Sequence, residues 1–206
     1  MRISKAQAKE NRERVIGAAS VLFRAKGFDA VSVGDLMKVA GFTHGGFYNH
    51  FGSKESLAAE ALRSAWCEMA KERSRSRDLR QLLKSYLSRA TRDAPGKTCP
   101  AAALAGDVSR EPDAVRTIFA DGLEGMIQSI QEQLAAEGHG SERDRAINLV
   151  TRMVGAVVLS RAVPDGAPLA EELLDATLRG SIRDLPASRE LRSGANRRFR
   201  GARPRA

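Results

Sequence analysis

Thr43, His44, Tyr48, Asn49 and His50 stand close together around a Gly45-Gly46 pair. Thr, His and Asn side chains hydrogen-bond base edges or phosphates, and Tyr reaches a phosphate or a thymine methyl. Each glycine costs ~1 kcal/mol relative to Ala inside a helix. Close approach of the backbone to another surface, such as a groove wall, is a physical reason to accept that cost. Lys54 opens the following helix, where its charge adds to a terminus that already attracts phosphate. The bland alternative is a helical hairpin with solvated polar residues.

Cys99 is the second chemical candidate. It precedes Pro100 at a helix start and follows Lys97 closely, and both a helix N-terminus and a cation favour the thiolate. Such a thiol senses oxidants or electrophiles; the alternative is a small buried apolar side chain. Cys67 reads as core. His44, His50 and His139 are the only histidines and show no zinc spacing with the cysteines, so neither a metal nor a cofactor is expected. No nucleophile elbow, P-loop or paired-carboxylate site is present, and Asp107 with Glu111 reads as a solvated face, so the chain does not read as an enzyme.

Helices must position these residues, because the apolar spacing is helical nearly throughout. Val15, Ile16, Ala19, Leu22 and Phe23 form one face of a first helix ended by Gly27. Ser32 caps a second, with Val33, Leu36, Met37 and Ala40 on one side. The tight turn Ala40-Gly41-Phe42-Thr43 leads to a third, short helix capped by Thr43 and running to about His50. This is helix-turn-helix geometry, in which the second helix of the pair enters the major groove. Phe42 is expected to pack against Phe23 and Leu36. Ser53 caps a fourth helix carrying Leu57, Ala61, Ala65 and Met69, and Leu79 to Ala90 makes a fifth. Further helices open at Cys99-Pro100 and Glu111-Pro112, the latter ended by Gly138-His139-Gly140. Segment 142–162 is apolar on more than one face and must be covered on several sides. The last helix spans about 168–185. The fold class is all-α, with roughly nine helices.

The chain has 206 residues, with 34 Lys+Arg against 25 Asp+Glu and a net charge of +9. Both ends are basic and the middle is close to neutral, which suits a polyanionic partner at the ends and a soluble core between them. Two cysteines make no disulfide framework and suggest a reducing compartment. No apolar run approaches the ~20 residues of a membrane span, and the N-terminal residues lack the apolar core of a secretory signal. A cytoplasmic, nucleoid-associated protein without a membrane partner is the expectation. Residues 187–206, rich in Arg and Gly, read as a basic disordered tail.

The stretch from about residue 9 to 69 resembles the TetR family of bacterial transcriptional regulators, AcrR-like in type. The matching residues include Leu22-Phe23, Gly27-Phe28, Ser32-Val33, Asp35-Leu36, Ala40-Gly41-Phe42-Thr43, Gly46-Phe47-Tyr48, His50-Phe51 and Ser53-Lys54-Glu55. The resemblance implies a three-helix DNA-binding domain (1–53, with the helix-turn-helix from Ser32 to Phe51), a helical inducer-binding and dimerisation domain (54–186), and a homodimer on a palindromic operator. It carries DNA contacts onto Thr43, His44, Gly45, Tyr48 and Asn49, and phosphate contacts onto Ser32, His50 and Lys54. Gly34 stands where some members place a longer polar residue. Arg2, Lys5 and Lys9 are either a basic arm reaching an adjacent groove or a frayed end.

The same resemblance places an apolar pocket in the second domain. Its candidate liners are Trp66, Met69, Leu83, Tyr86, Leu104, Phe119, Met126 and Met153, together with Cys99. A small hydrophobic or electrophilic inducer is the implied ligand. Segments 142–162 and 168–185 are the implied dimer interface, where Gly155, Ala156 and Ser160 permit close helix packing. Function is therefore expected to be that of a ligand-responsive repressor. The competing expectation is a non-specific nucleic-acid-binding protein driven by its basic termini, which would bind any duplex with a steep salt dependence.

Overall fold

The structure is a computed structural model that describes residues 4–76, 78–140 and 142–185. Among these residues all regular structure is helical: α1 (Lys5–Lys26), α2 (Val33–Ala40), α3 (Lys54–Arg73), α4 (Leu79–Tyr86), α5 (Arg89–Asp93), α6 (Pro100–Val108), α7 (Asp113–Ala136), α8 (Arg143–Ala162) and α9 (Pro168–Arg183). Two 3₁₀ turns, His44–Asn49 and Pro95–Lys97, complete the set. The all-α class read from the periodicity is the class observed. No helix among the described residues is long and apolar enough to cross a membrane. The basic stretch 187–206 and Arg2 lie outside the described residues.

The packing is a relay: α1 lies on α2 and α3, α3 on α7, α7 on α8, and α8 on α9. Val15, Ala19 and Phe23 recur every four residues on α1 and are all buried. They join Leu36, Met37, Phe47, Phe51 and Leu57 in a small aromatic-aliphatic cluster. That cluster continues along α3 into Leu83, Leu104, Met126, Ile130, Leu134, Met153 and Val157, so one core runs the length of the molecule. Gly27 ends α1 with φ +83°, and a side chain there would drive into Asp107 of α6.

Two sequence expectations change. The helix expected over 79–90 is two helices, because Ser88 Oγ donates to the Ser85 carbonyl and accepts from Thr91 N–H, which closes one helix and caps the next. Cys67 is exposed rather than core. Its neighbours Ala65, Trp66, Met69 and Arg73 take the inward face of α3 and rotate Cys67 outward. On α8, Val158 and Leu159 are exposed in the single chain, on the helix implied to be part of the dimer interface.

α3 and α7 meet around Trp66, whose ring packs edge-on to Phe119 at 5.7 Å. Gly122 makes this possible, since a Cβ there would fall inside the van der Waals envelope of the indole. Gly125, on the same helix, faces open space. Gly122→Ala is expected to cost a net ~1–2 kcal/mol through overpacking, while Gly125→Ala gains up to about 1 kcal/mol from helix propensity. Urea unfolding midpoints of the two variants check the opposite signs.

Candidate nucleic-acid interface

Ser32 and Asp35 build the start of α2. Asp35 N–H donates to Ser32 Oγ at 3.1 Å, Ser32 N–H donates to Asp35 Oδ2 at 3.3 Å, and the Ser32 hydroxyl donates to the same oxygen at 2.6 Å. This reciprocal cap holds the Asp35 carboxyl below its usual range, chiefly through the Ser32 hydroxyl and then its backbone N–H. Ser32 thus has a structural task beside the phosphate contact expected of it.

Gly41 closes α2 in the left-handed conformation, φ +81° and ψ 30°. Its N–H reaches Lys38 O, and Phe42 N–H reaches Met37 O at 2.8 Å. Phe42 is half-buried and packs against the cluster that contains Phe23 and Leu36. The Arg14 guanidinium covers its ring at 4.9 Å and donates to Ala40 O at 3.0 Å. Arg14 therefore fixes the turn from α1, a role that residue type alone did not suggest.

The third helix is a 3₁₀ turn over His44–Asn49, tighter than expected. Gly46 N–H bonds Thr43 O and His50 N–H bonds Phe47 O, both three residues back. Two adjacent glycines weaken α-helix propagation, and Thr43, although at the cap position, makes no side-chain cap. One face of the turn is pinned: Phe47 is buried, and Phe51 lies 5.5 Å from it, ring to ring. Arg12 stacks over Phe51 at 4.8 Å, donates to His50 O and pairs with Glu60 of α3.

The other face is open. Thr43, His44, Gly45, Tyr48 and Asn49 are exposed, Tyr48 at 67%. The Tyr48 ring stands edge-on to Phe47 at 5.2 Å and to His44 at 6.4 Å, so a rigid aromatic projects from a buried footing. A Cβ on Gly45 would touch nothing in the protein. No Asp or Glu occurs from Thr43 to Lys54. His50 and Lys54 are half-buried at the edge of this face. Ser53 caps α3 by accepting from Ser56 N–H at 3.1 Å, and it holds the Glu55 carboxyl below its usual range. The basic arm is not seen from Lys5 onward, because Ser4 caps α1 and Lys5 and Lys9 are already helical.

The predicted pocket residues divide. Met69, Tyr86 and Cys99 line one cavity of about 140 Å³ between α3, α4 and the 91–99 segment. Trp66 faces a separate open groove against α7. Leu83, Leu104, Met126 and Met153 are buried core side chains, and Phe119 is half-buried against Trp66. Cys99 caps α6 with its thiol fully buried, the sulfur 3.9 Å from Met126 Sδ.

Comparison with known proteins follows this division. Residues 15–61 match the model of bacterial regulatory proteins of the tetR family, and residues 76–172 match the C-terminal domain of LmrA/YxaF-like transcriptional regulators. The chain belongs to the TetR family. That family is one of transcriptional regulators, not enzymes. LmrA of Bacillus subtilis, an HTH-type transcriptional regulator, is 26% identical over 178 residues, covering 78% of this chain and 91% of its own. YdgC of the same organism is 40% identical over 58 residues, and there the match spans only 30% of the relative and 28% of this chain. Among solved structures, reduced Escherichia coli NemR has the same fold, with a TM-score of 0.70 at 20% identity, covering 84% of this chain and 95% of its own.

The reciprocal cap carries a pH dependence. Asp35 has a depressed folded pKa, so its contribution is fully present above the ordinary aspartate range and is lost as pH falls through the folded value. Ser32→Ala is expected to lower stability by about 1 kcal/mol at neutral pH, and the gap to wild type narrows as pH falls into the acid range. Denaturant titrations at two pH values check both parts.

Proposed function

We propose that this TetR-family chain is a sequence-specific repressor that binds a palindromic operator as a homodimer and leaves it when a small molecule occupies the helical body. The observation that carries the reading is the open face of the 43–49 turn. Polar tips stand there on a buried aromatic footing, a glycine leaves room for a close surface, and the segment from Thr43 to Lys54 carries no carboxylate of its own. Thr43, His44, Tyr48 and Asn49 read base edges and nearby phosphates in this proposal. His50 and Lys54 contact backbone phosphates, Ser32 does so as far as its bond to Asp35 allows, and Gly45 admits the groove wall.

Dimerisation runs through α8 and α9 in this reading. Val158, Leu159 and Leu169 expose large apolar surface there, beside a groove lined by Gly155, Ala156, Ala176 and Gly180. Two copies joined on these helices form a four-helix interface. Their recognition turns then occupy successive major grooves, ~34–36 Å apart or a multiple of that distance. Residues 1–53 act as the DNA-binding unit and 54–186 as the sensing and dimerising one, in the bacterial cytoplasm where the operator is.

The sensing route follows the packing. The 140 Å³ cavity is lined in part by Lys97, Thr98 and Cys99. That same segment presses on α1: a Cβ on Gly96 would lie 2.9 Å from Val21 O, and Arg24 donates to Thr98 O. A ligand or a thiol modification that displaces residues 96–99 changes the tilt of α1 and hence the spacing of the two recognition turns. Operator and ligand then weaken each other by the same factor.

Selection of bound sequences from random duplexes tests the reading. It is expected to return an inverted repeat whose half-sites lie a whole number of helical turns apart, with unrelated duplex bound at least ~10³-fold more weakly. Equal affinity for all duplexes favours binding through the basic termini instead. Gly45→Ala gives a second check: thermal stability is expected to hold or rise, while operator affinity falls at least ~10-fold through the lost close approach.

A further inference from the structure

The cavity between α3, α4 and the 91–99 segment carries a charge that the fold does not neutralise. Arg73, the last residue of α3, is only 7% exposed, and its Nε and Nη1 have no hydrogen-bond partner in the protein. Tyr86 of α4 is 8% exposed, and its hydroxyl makes no hydrogen bond of ordinary length and angle, although the Cys99 thiol interacts with it. Both line the cavity. Among the described residues no carboxylate lies within ion-pair distance of Arg73. Buried donors are nearly always satisfied, and an unpaired buried cation is among the costliest groups to retain.

The surroundings add to the imbalance. Arg161 donates to Thr91 O, Arg92 O, Ala102 O and Thr98 Oγ1, all neutral oxygens, and so brings a second guanidinium near the cavity. Lys97 lines the same space, and the exposed Glu72 is the one carboxylate among the lining residues. Burial pushes the Tyr86 hydroxyl well above its ordinary range, which keeps it a proton donor. The remaining wall is mixed: Met69, Leu82 and Cys99 give it an apolar patch, and Ser76, Ser85, Thr91 and Thr98 add hydroxyl groups. The volume is about that of a cavity that admits benzene.

We propose that this cavity binds a small organic anion, whose carboxylate head accepts hydrogen bonds from Arg73 and Tyr86 and whose apolar body, no larger than about a benzene ring, lies against Met69, Leu82 and Cys99. The inference deepens the ligand half of the proposed function and rests on it only for its regulatory consequence. It names the class of inducer: an acid, not a neutral or cationic compound. The head would sit beside Thr98, whose carbonyl holds Arg24 of α1.

Thermal unfolding of the full chain, without DNA, tests it. At about 10 mM and matched ionic strength, at least one of acetate, butyrate and benzoate is expected to raise Tm by about 3 °C, while benzamide does not. Arg73→Met is expected to abolish the shift in a protein at least as stable as wild type, since it removes an unpaired buried charge. Tyr86→Phe, which keeps the ring, is expected to weaken binding by calorimetry about 5–10-fold. Equal response to benzoate and benzamide, no response to any of the three acids, or an undiminished shift in Arg73→Met overturns the proposal. Because no DNA enters the measurement, a negative result leaves the operator reading standing, and failure of operator selection leaves this one standing.

Discussion

One buried guanidinium joins the recognition end of this molecule to its helical body. Arg24 is only 4% exposed near the end of α1. It donates to Ser20 O at 3.0 Å, to Ser20 Oγ at 3.1 Å, to Glu68 of α3 at 2.8 Å and to Thr98 O at 3.0 Å. A buried cation is tolerable only when its protons are matched in this way. The match needs α1, α3 and the 95–99 segment in one arrangement, so the charge acts as a positional constraint. Farther along α1, the half-buried Arg12 and the exposed Arg14 reach the 3₁₀ turn and the end of α2 with single backbone hydrogen bonds. α1 is therefore a strut, with arginine contacts to the 40–50 segment at one end and to the cavity wall at the other.

Arginines elsewhere in the body sharpen the contrast with Arg73. Arg92 is buried and bonds Ser160 O, Val163 O, Asp93 and Asp165, while Arg161 is bonded to neighbouring carbonyl and hydroxyl oxygens. The fold can satisfy a buried guanidinium and does so repeatedly. Where it leaves Arg73 with unmatched nitrogens beside a cavity, the unmatched group marks a place for a ligand. Satisfied arginines fix geometry here, and the unsatisfied one is the group that the ligand proposal uses.

Much of this was legible in the sequence because apolar periodicity is a local signal. Val15, Ala19 and Phe23 announced α1, and Ser32 announced the start of α2. The run from Ala40 to Thr43 announced the turn, with Gly41 in the left-handed conformation that glycine adopts freely. Long-range contacts were not legible. An arginine on a helix reads as a solvated face, so the tasks of Arg12, Arg14, Arg24 and Arg73 were missed. The one local signal for Arg24 was Ser20 four residues earlier, whose hydroxyl it bonds. The break at Leu87 depended on a side-chain competition by Ser88, which periodicity does not register. Cys67 fell one position from the inward face, and a reading by composition put it inside.

The account's central claim is that a residue far from the reading face sets its geometry through α1. The direct measurement is the affinity of Arg24→Met, first shown to be folded by circular dichroism, for a selected operator and for a scrambled duplex at physiological salt. The account predicts that operator affinity falls at least ~10-fold while affinity for the scrambled duplex stays near the wild-type value. Unchanged operator affinity in the folded variant would contradict it.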